Sequence, residues 1–230
     1  MLLARQLSWA FCGLLICATS AEVTCAQGGG GRGGFGGQQS RTRFELATLS
    51  EVQTDLKLND EQKKLATDQL AKMREKRAEM FQAGGGGGGG AGGQTARTEL
   101  AKMNADMDAV FVRKLDDVQK SRLNGLIAQV NGASALLDPA IAKALELGDE
   151  LVGKLKSVND SNQAARREAF QAGQDLSQEQ RTEAMAKLTA NESKSLMGLL
   201  SEAQVKKLES LKGAALTIDQ TPLRPARRAQ

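Results

Sequence analysis

The chain has 230 residues, a formal charge of +4, 25 glycines, 3% aromatic residues and no histidine. So few aromatic side chains, set among abundant Ala, Leu, Lys, Glu and Gln, argue against a β-rich fold and for an all-α protein. The charge excess is small for a nucleic-acid binder of this size, and the lack of histidine removes the commonest general acid–base and metal ligand.

Residues 1–26 read as a secretory signal peptide. Arg5 precedes an apolar run from Leu7 to Ala18, too short for a comfortable membrane span, and small residues follow it. Thr24-Cys25-Ala26 is the preferred cleavage point and Ala21 the second, with a retained anchor helix as the other reading. Cleavage would remove Cys12, Cys17, Cys25 and Trp9, and would leave 30 basic against 26 acidic residues. The expected product is periplasmic or secreted, does not span the membrane, and is stabilised by an apolar core without disulfides.

Gln27 to Gln39 is a glycine tract with one arginine, so 27–43 is expected to be a flexible, disordered arm. Helical pattern follows. Ser50 is placed to cap a short helix through Leu56, and a longer helix runs from Asn59 to about Gln82, carrying Leu65, Leu70, Met73, Met80 and Phe81 near one face. Lys63, Lys64, Lys72, Arg74, Lys76 and Arg77 make much of its remaining surface basic. The stretch 83–93 contains Gly84 to Gly90 without interruption and is expected to be a loop. Leu100, Met103, Met107, Val110 and Phe111 then form one stripe. Val118, Leu123, Leu126, Ile127 and Val130 form another, which stops at Asn131-Gly132. Asp138-Pro139 opens a new helix. Leu151, Leu155, Val158, Ala165 and Phe170 lie on one further stripe, Met185, Leu188, Leu196, Leu199 and Leu200 on the next, and Val205, Leu208 and Leu211 on the last. Thr217 to Gln230, with Arg224, Arg227 and Arg228, reads as a disordered basic tail.

The helical part is written twice. Val52, Leu58 and Gly84 return as Ile141, Leu147 and Gly173, each 89 positions on, and Arg77-Ala78-Glu79-Met80-Phe81-Gln82-Ala83 returns as Arg166-Arg167-Glu168-Ala169-Phe170-Gln171-Ala172. Further along, Leu115 to Leu123 answers Leu200 to Leu208 at an offset of 85. The expected organisation is two tandem copies of one unit, 44–130 and 131–216, folded as extended helical hairpins or a bundle. The chain is expected to be either a monomeric pseudo-dimer, its two fused copies packed on each other, or a homodimer.

Four times a leucine, a capping residue, two further residues and a glutamine recur: Leu58-Asn59 with Gln62, Leu115-Asp116 with Gln119, Leu176-Ser177 with Gln180, and Leu200-Ser201 with Gln204. The spacing is that of a capping box, in which the cap oxygen takes the amide of the third helical residue and the glutamine returns to the cap's amide. The leucine outside each helix is placed to pack inward. Four such motifs in a small, histidine-free helical chain resemble the LTxxQ motif of the Spy/CpxP family of periplasmic proteins, over most of residues 50–215. The resemblance implies an all-helical, cradle-like protein and either ATP-independent chaperone activity or modulation of envelope stress. Asn, Asp or Ser stands for the motif's threonine, and Leu151 stands where glutamine belongs at the start of the second copy.

No catalytic group is recognisable, so the chain is expected not to be an enzyme and to need no cofactor. A transition-metal site is not expected without histidine or cysteine, and Asp60-Glu61 and Asp149-Glu150 suit the first turns of helices. The candidate surface for unfolded or partner polypeptides comprises Lys63, Lys64, Met73, Arg74, Arg77, Met80, Phe81, Met103 and Met107. Methionine adapts to irregular apolar partners, although the same residues serve equally to fill a core short of aromatics. The other functional reading is a non-catalytic structural or adaptor protein.

Overall fold

Every regular element among the described residues of the computed structural model (40–83, 91–173 and 176–223) is helical. The signal-peptide and glycine-arm readings up to residue 39, the glycine run 84–90 and the tail 224–230 lie outside the described residues. In chain order the α-helices are α1 (Arg43–Leu46), α2 (Ser50–Asp55), α3 (Asp60–Ala83), α4 (Ala91–Val112), α5 (Asp117–Asn131), α6 (Pro139–Ala144), α7 (Asp149–Ala172), α8 (Gln178–Met197) and α9 (Glu202–Lys212). A 3-10 segment, η1 (Gly132–Leu137), joins α5 to α6.

The starts follow the cap chemistry of the sequence. Asn59, Asp116, Ser177 and Ser201 each accept from the amide of the glutamine three residues on, and each glutamine side chain accepts from the cap amide. Asp138 accepts from the amides of Ala140 and Ile141, with Pro139 supplying the preset first turn. Each such cap contributes about 1 kcal/mol. The stop at Asn131-Gly132 is as expected: Gly132 has φ 57° and ψ −136°, a conformation that a side chain strongly disfavours.

Several elements of the two halves correspond in length and position. At an offset of 89, α2 and α6 each have six residues and α3 and α7 each have 24. Lys57 and Glu146, also 89 apart, are the two non-glycine residues with positive φ among the described residues, 50° and 54°. The Leu58 amide donates to the Gln53 carbonyl and the Leu147 amide to the Ala142 carbonyl, again at that offset. The ends of α4 and α8 correspond at an offset of 85, where Leu115 donates to the Val112 carbonyl and Leu200 to that of Met197. Each half builds a helical hairpin, α3 on α4 and α7 on α8. The segment before the hairpin, α1 in the first half and η1 in the second, packs against it, while α5 packs along α9. The halves are not separate units: the described residues between 40 and 223 share one continuous apolar core.

That core is unequal. Phe44 and Leu46 of α1 are fully buried in the first half, whereas Ala133 and Ala135 occupy the matching places of η1. Among the described residues of α7 and α8 only Leu155 and Leu196 are buried side chains. Between α5 and α9 the approach is close: a Cβ on Gly125 would lie 2.3 Å from the Leu211 carbonyl oxygen.

Several sequence expectations change. The arm does not extend to residue 43, because Thr42 caps α1 with a full capping box to Glu45 and Arg43 is buried. Ser50 is the first residue of α2 and not its side-chain cap; its hydroxyl donates to Glu51. Helix α4 begins at Ala91, so Ala91-Gly92-Gly93 is helical and not part of the loop. Thr217 to Leu223 is held against the first half and is not a free tail: Leu216 and Ile218 pack on the core, and Leu223 is buried.

Candidate functional site

The capping glutamines of the first half do more than cap. Gln62 donates from Nε2 to the Lys114 carbonyl (2.8 Å) and to Gln119 Oε1 (2.9 Å). Gln119 Nε2 donates to the Leu56 carbonyl (3.2 Å) and back to Gln62 Oε1 (3.3 Å). With the Asn59 and Asp116 amides also donating to the two Oε1 atoms, both amide groups are saturated. The starts of α3 and α5 are thereby clasped together by two side chains 57 residues apart. In the second half Leu151 replaces the first of these glutamines, and Gln204 makes only its own capping bonds. Leu58 and Leu115 pack inward as the motif requires and Leu200 is partly buried, but Leu176 is exposed at the far end of the α7–α8 hairpin.

A second polar centre joins the halves. The Arg43 guanidinium donates to both carboxylate oxygens of Asp138 (2.8 Å each), to Asp108 Oδ2 (3.1 Å) and to Asn124 Oδ1 (3.0 Å). Asp108 also accepts from the Phe44 amide. Burial alone would lift Asp138, but Arg43 and the amides of Ile141 and Ala140 together hold it below the usual carboxylate range. Asp108 lies the other way. It is the more buried of the two and has one longer bond to Arg43, so its desolvation outweighs Arg43 and the Phe44 amide and pushes its carboxyl up.

The nine residues expected to form a polypeptide-binding surface do not assemble into one exposed face. Met73 is 2% exposed and belongs to the core. Met103 and Met107 pack partly buried against that core, and Met80 is half-buried. The side chain of Phe81 lies outside the described residues. Lys63 and Lys64 remain on the surface but are paired with Asp60 and Asp68 along the helix, and Lys76 with Glu79, so α3 is less basic than its run of lysines suggests. Arg74 donates to the Pro222 carbonyl at 3.0 Å. Arg77 is half-buried, and its Nε is enclosed without a hydrogen-bond partner.

What the first half holds instead is a later segment of the same chain. Residues 213–220 run without regular structure along α5 and lead to a short 3-10 turn at Thr221–Leu223. Gln129 donates to the carbonyls of Lys212 (2.7 Å) and Ala214 (2.9 Å) and accepts from the Leu216 amide (3.1 Å). Arg122, paired with Asp55, donates to the same two carbonyls. These contacts read backbone, while Leu216, Ile218 and Leu223 supply apolar anchors. Beside the strap, Val118, Arg122, Leu211 and Gly213 line an open groove in which Val118 is 80% exposed.

Arg43, Gln129 and Arg122 were not selected from the sequence. Thr42-Arg43-Phe44-Glu45 carries a capping-box pattern that signals α1, but nothing local marks the partners of Arg43, which lie 65 and 95 residues away. Among the described residues no three acidic, histidine or cysteine side chains gather as a metal site, and no helix is long and apolar enough to cross a membrane. No protein-family model, no curated protein and no solved structure matches the chain.

Proposed function

We infer that the protein is an exported, ATP-independent, chaperone-like binder of non-native or partner polypeptides in the cell envelope, built from two tandem Spy/CpxP-like units that act as a pseudo-dimer. The observation that carries this reading is the strap 213–223. A helical face of the first half holds an irregular, partly apolar segment through side chains directed at peptide groups, with leucine and isoleucine anchors between them. Contacts of that kind do not depend on the sequence of the bound segment, which is what a binder of unfolded chains requires. The repeat of backbone geometry at Lys57 and Glu146 supports the duplication.

The second reading, a structural or adaptor protein without chaperone activity, is favoured by one observation: Met73 is in the core, and Met103 and Met107 pack against it. The assay that separates the readings is light scattering of guanidinium-denatured citrate synthase on dilution, with the purified chain at sub- to equimolar ratio and no nucleotide, at low and moderate salt. Suppression of scattering is expected, and it should strengthen in a chain truncated after Gly213 that circular dichroism shows to be folded. No suppression by either protein would refute the chaperone reading and leave the adaptor.

A further inference from the structure

We propose that the half-buried guanidinium of Arg77 is a docking point for a carboxylate carried by the bound polypeptide, a site that the second half of the same molecule completes from within. This inference rests on the polypeptide-binding reading above and names one chemical requirement of the partner.

The two hairpins supply the comparison. Arg77 of α3 and Arg166 of α7 stand 89 positions apart, at the same place in helices of 24 residues. Both are half-buried, and Arg166 faces α8. Arg166 is paired along its Nε–Nη2 edge: Nε and Nη2 donate to the two carboxylate oxygens of Glu192, and Nη2 also donates to Thr189 Oγ1 at 3.1 Å. Counting back 85 from Thr189 and Glu192, the offset at which α4 and α8 end, gives Asn104 and Met107. Exposure follows that register, with positions 103, 104, 107 and 111 matching 188, 189, 192 and 196.

The first hairpin therefore keeps the arginine and a polar neighbour but has lost the carboxylate. The consequence is visible at Arg77 Nε, which lacks the acceptor that Glu192 gives Arg166, while Asn104 Oδ1, itself an acceptor, is left without a donor. Arg77 Nε and Asn104 Oδ1 are the enclosed side-chain polar atoms left without a hydrogen-bond partner among the described residues. They sit at the positions that Arg166 and Thr189 fill in the satisfied arrangement. An enclosed donor and acceptor without partners each carry an uncompensated desolvation, and a guanidinium carries more than a neutral group. A planar two-oxygen anion is the group whose geometry matches the Nε–Nη2 edge of arginine. Met107, unbranched and flexible, stands at the position that corresponds to Glu192. Met80 and Met103 are half-buried on the same two helices, so the fitting ligand is a segment in which an Asp or Glu is flanked by apolar side chains.

The test is fluorescence anisotropy with two short fluorescein-labelled peptides, one alternating Leu and Glu and the other alternating Leu and Gln, titrated with the full chain. The glutamate peptide should bind on the order of tenfold tighter at low salt, and the difference should shrink as salt rises. Met107→Glu supplies the missing carboxylate internally. It should raise the melting temperature and abolish the preference for the glutamate peptide, as should Arg77→Gln, while Arg166→Gln should leave the preference intact. Equal binding of both peptides by the wild-type chain would sink the site and leave the polypeptide-binding reading standing. Binding of neither peptide would sink both. A preference that persists in Arg77→Gln would overturn the proposal even if Met107→Glu fails to fold.

Discussion

Replacing Arg43 by methionine removes the charge at the joint between the halves while keeping most of the buried stem. The guanidinium side chain is 10% exposed, and its loss breaks the paired bonds to Asp138, the bond to Asp108 and the bond to Asn124. Removing one partner of a buried ion pair costs about 3–5 kcal/mol, chiefly because the remaining charge keeps its desolvation. Here two carboxylates are left, and Asp108, with a side chain 14% exposed, retains only the backbone amides of Phe44 and residue 43. Urea denaturation followed by far-UV circular dichroism at neutral pH measures the loss, and adding Asp108→Asn to Arg43→Met should recover about 1–3 kcal/mol of it. The pH dependence has a definite sign. Asp138, held low in the native state, binds fewer protons there than when unfolded, so its contribution is present above the ordinary aspartate range and is lost as pH falls through its folded value. Asp108, pushed up by burial, binds its proton more tightly in the native state and costs stability as pH rises above about 4. Without Arg43 both carboxylates lose the group that favours their charged form, so the deficit of Arg43→Met should be smallest near pH 4 and grow toward pH 7. A loss under about 1 kcal/mol at neutral pH, or a deficit that shrinks as pH rises, would refute this account.

Two other substitutions probe the joints of the fold. Gln62→Leu copies what Leu151 does in the second half, but it strips the Lys114 carbonyl of its donor and leaves Gln119 with half its partners; it should cost about 2–4 kcal/mol, against about 1 kcal/mol for Gln204→Leu, and equal losses in urea titrations would show that the clasp adds nothing to capping. Gly125→Ala places a methyl group against the Leu211 carbonyl, where backbone must move, so the α5–α9 contact should loosen by about 1–3 kcal/mol; an unchanged melting temperature would contradict the close approach.

Much of the helical layout was legible because it depends on neighbours in sequence. Asn59, Asp116, Ser177 and Ser201 cap through atoms three residues away, Gly132 stops α5 through its own backbone, and Asp138-Pro139 starts α6. The candidate surface was harder to read, because exposure depends on what lies across the hairpin. Met73, Met103 and Met107 have the helical spacing of a stripe, and spacing alone does not tell a stripe turned to the core from one turned to solvent. Ser50 had the chemistry of a cap but sits one position too late, with Leu49 in the extended conformation that precedes the helix.

Local pattern and internal repetition were thus enough to establish from the sequence alone an all-α chain with capped helices at repeating intervals, since capping, helix propensity and glycine stops act over three or four residues. Tertiary structure alone decided that two capping glutamines close on each other, that Arg43 ties α4, α5 and α6 together, that residues 213–223 fold back onto the first half, and that Arg77 lacks the carboxylate its counterpart Arg166 has. Each of these joins groups tens of residues apart or more, and such partners are chosen by how helices pack and by which polar atoms that packing removes from water.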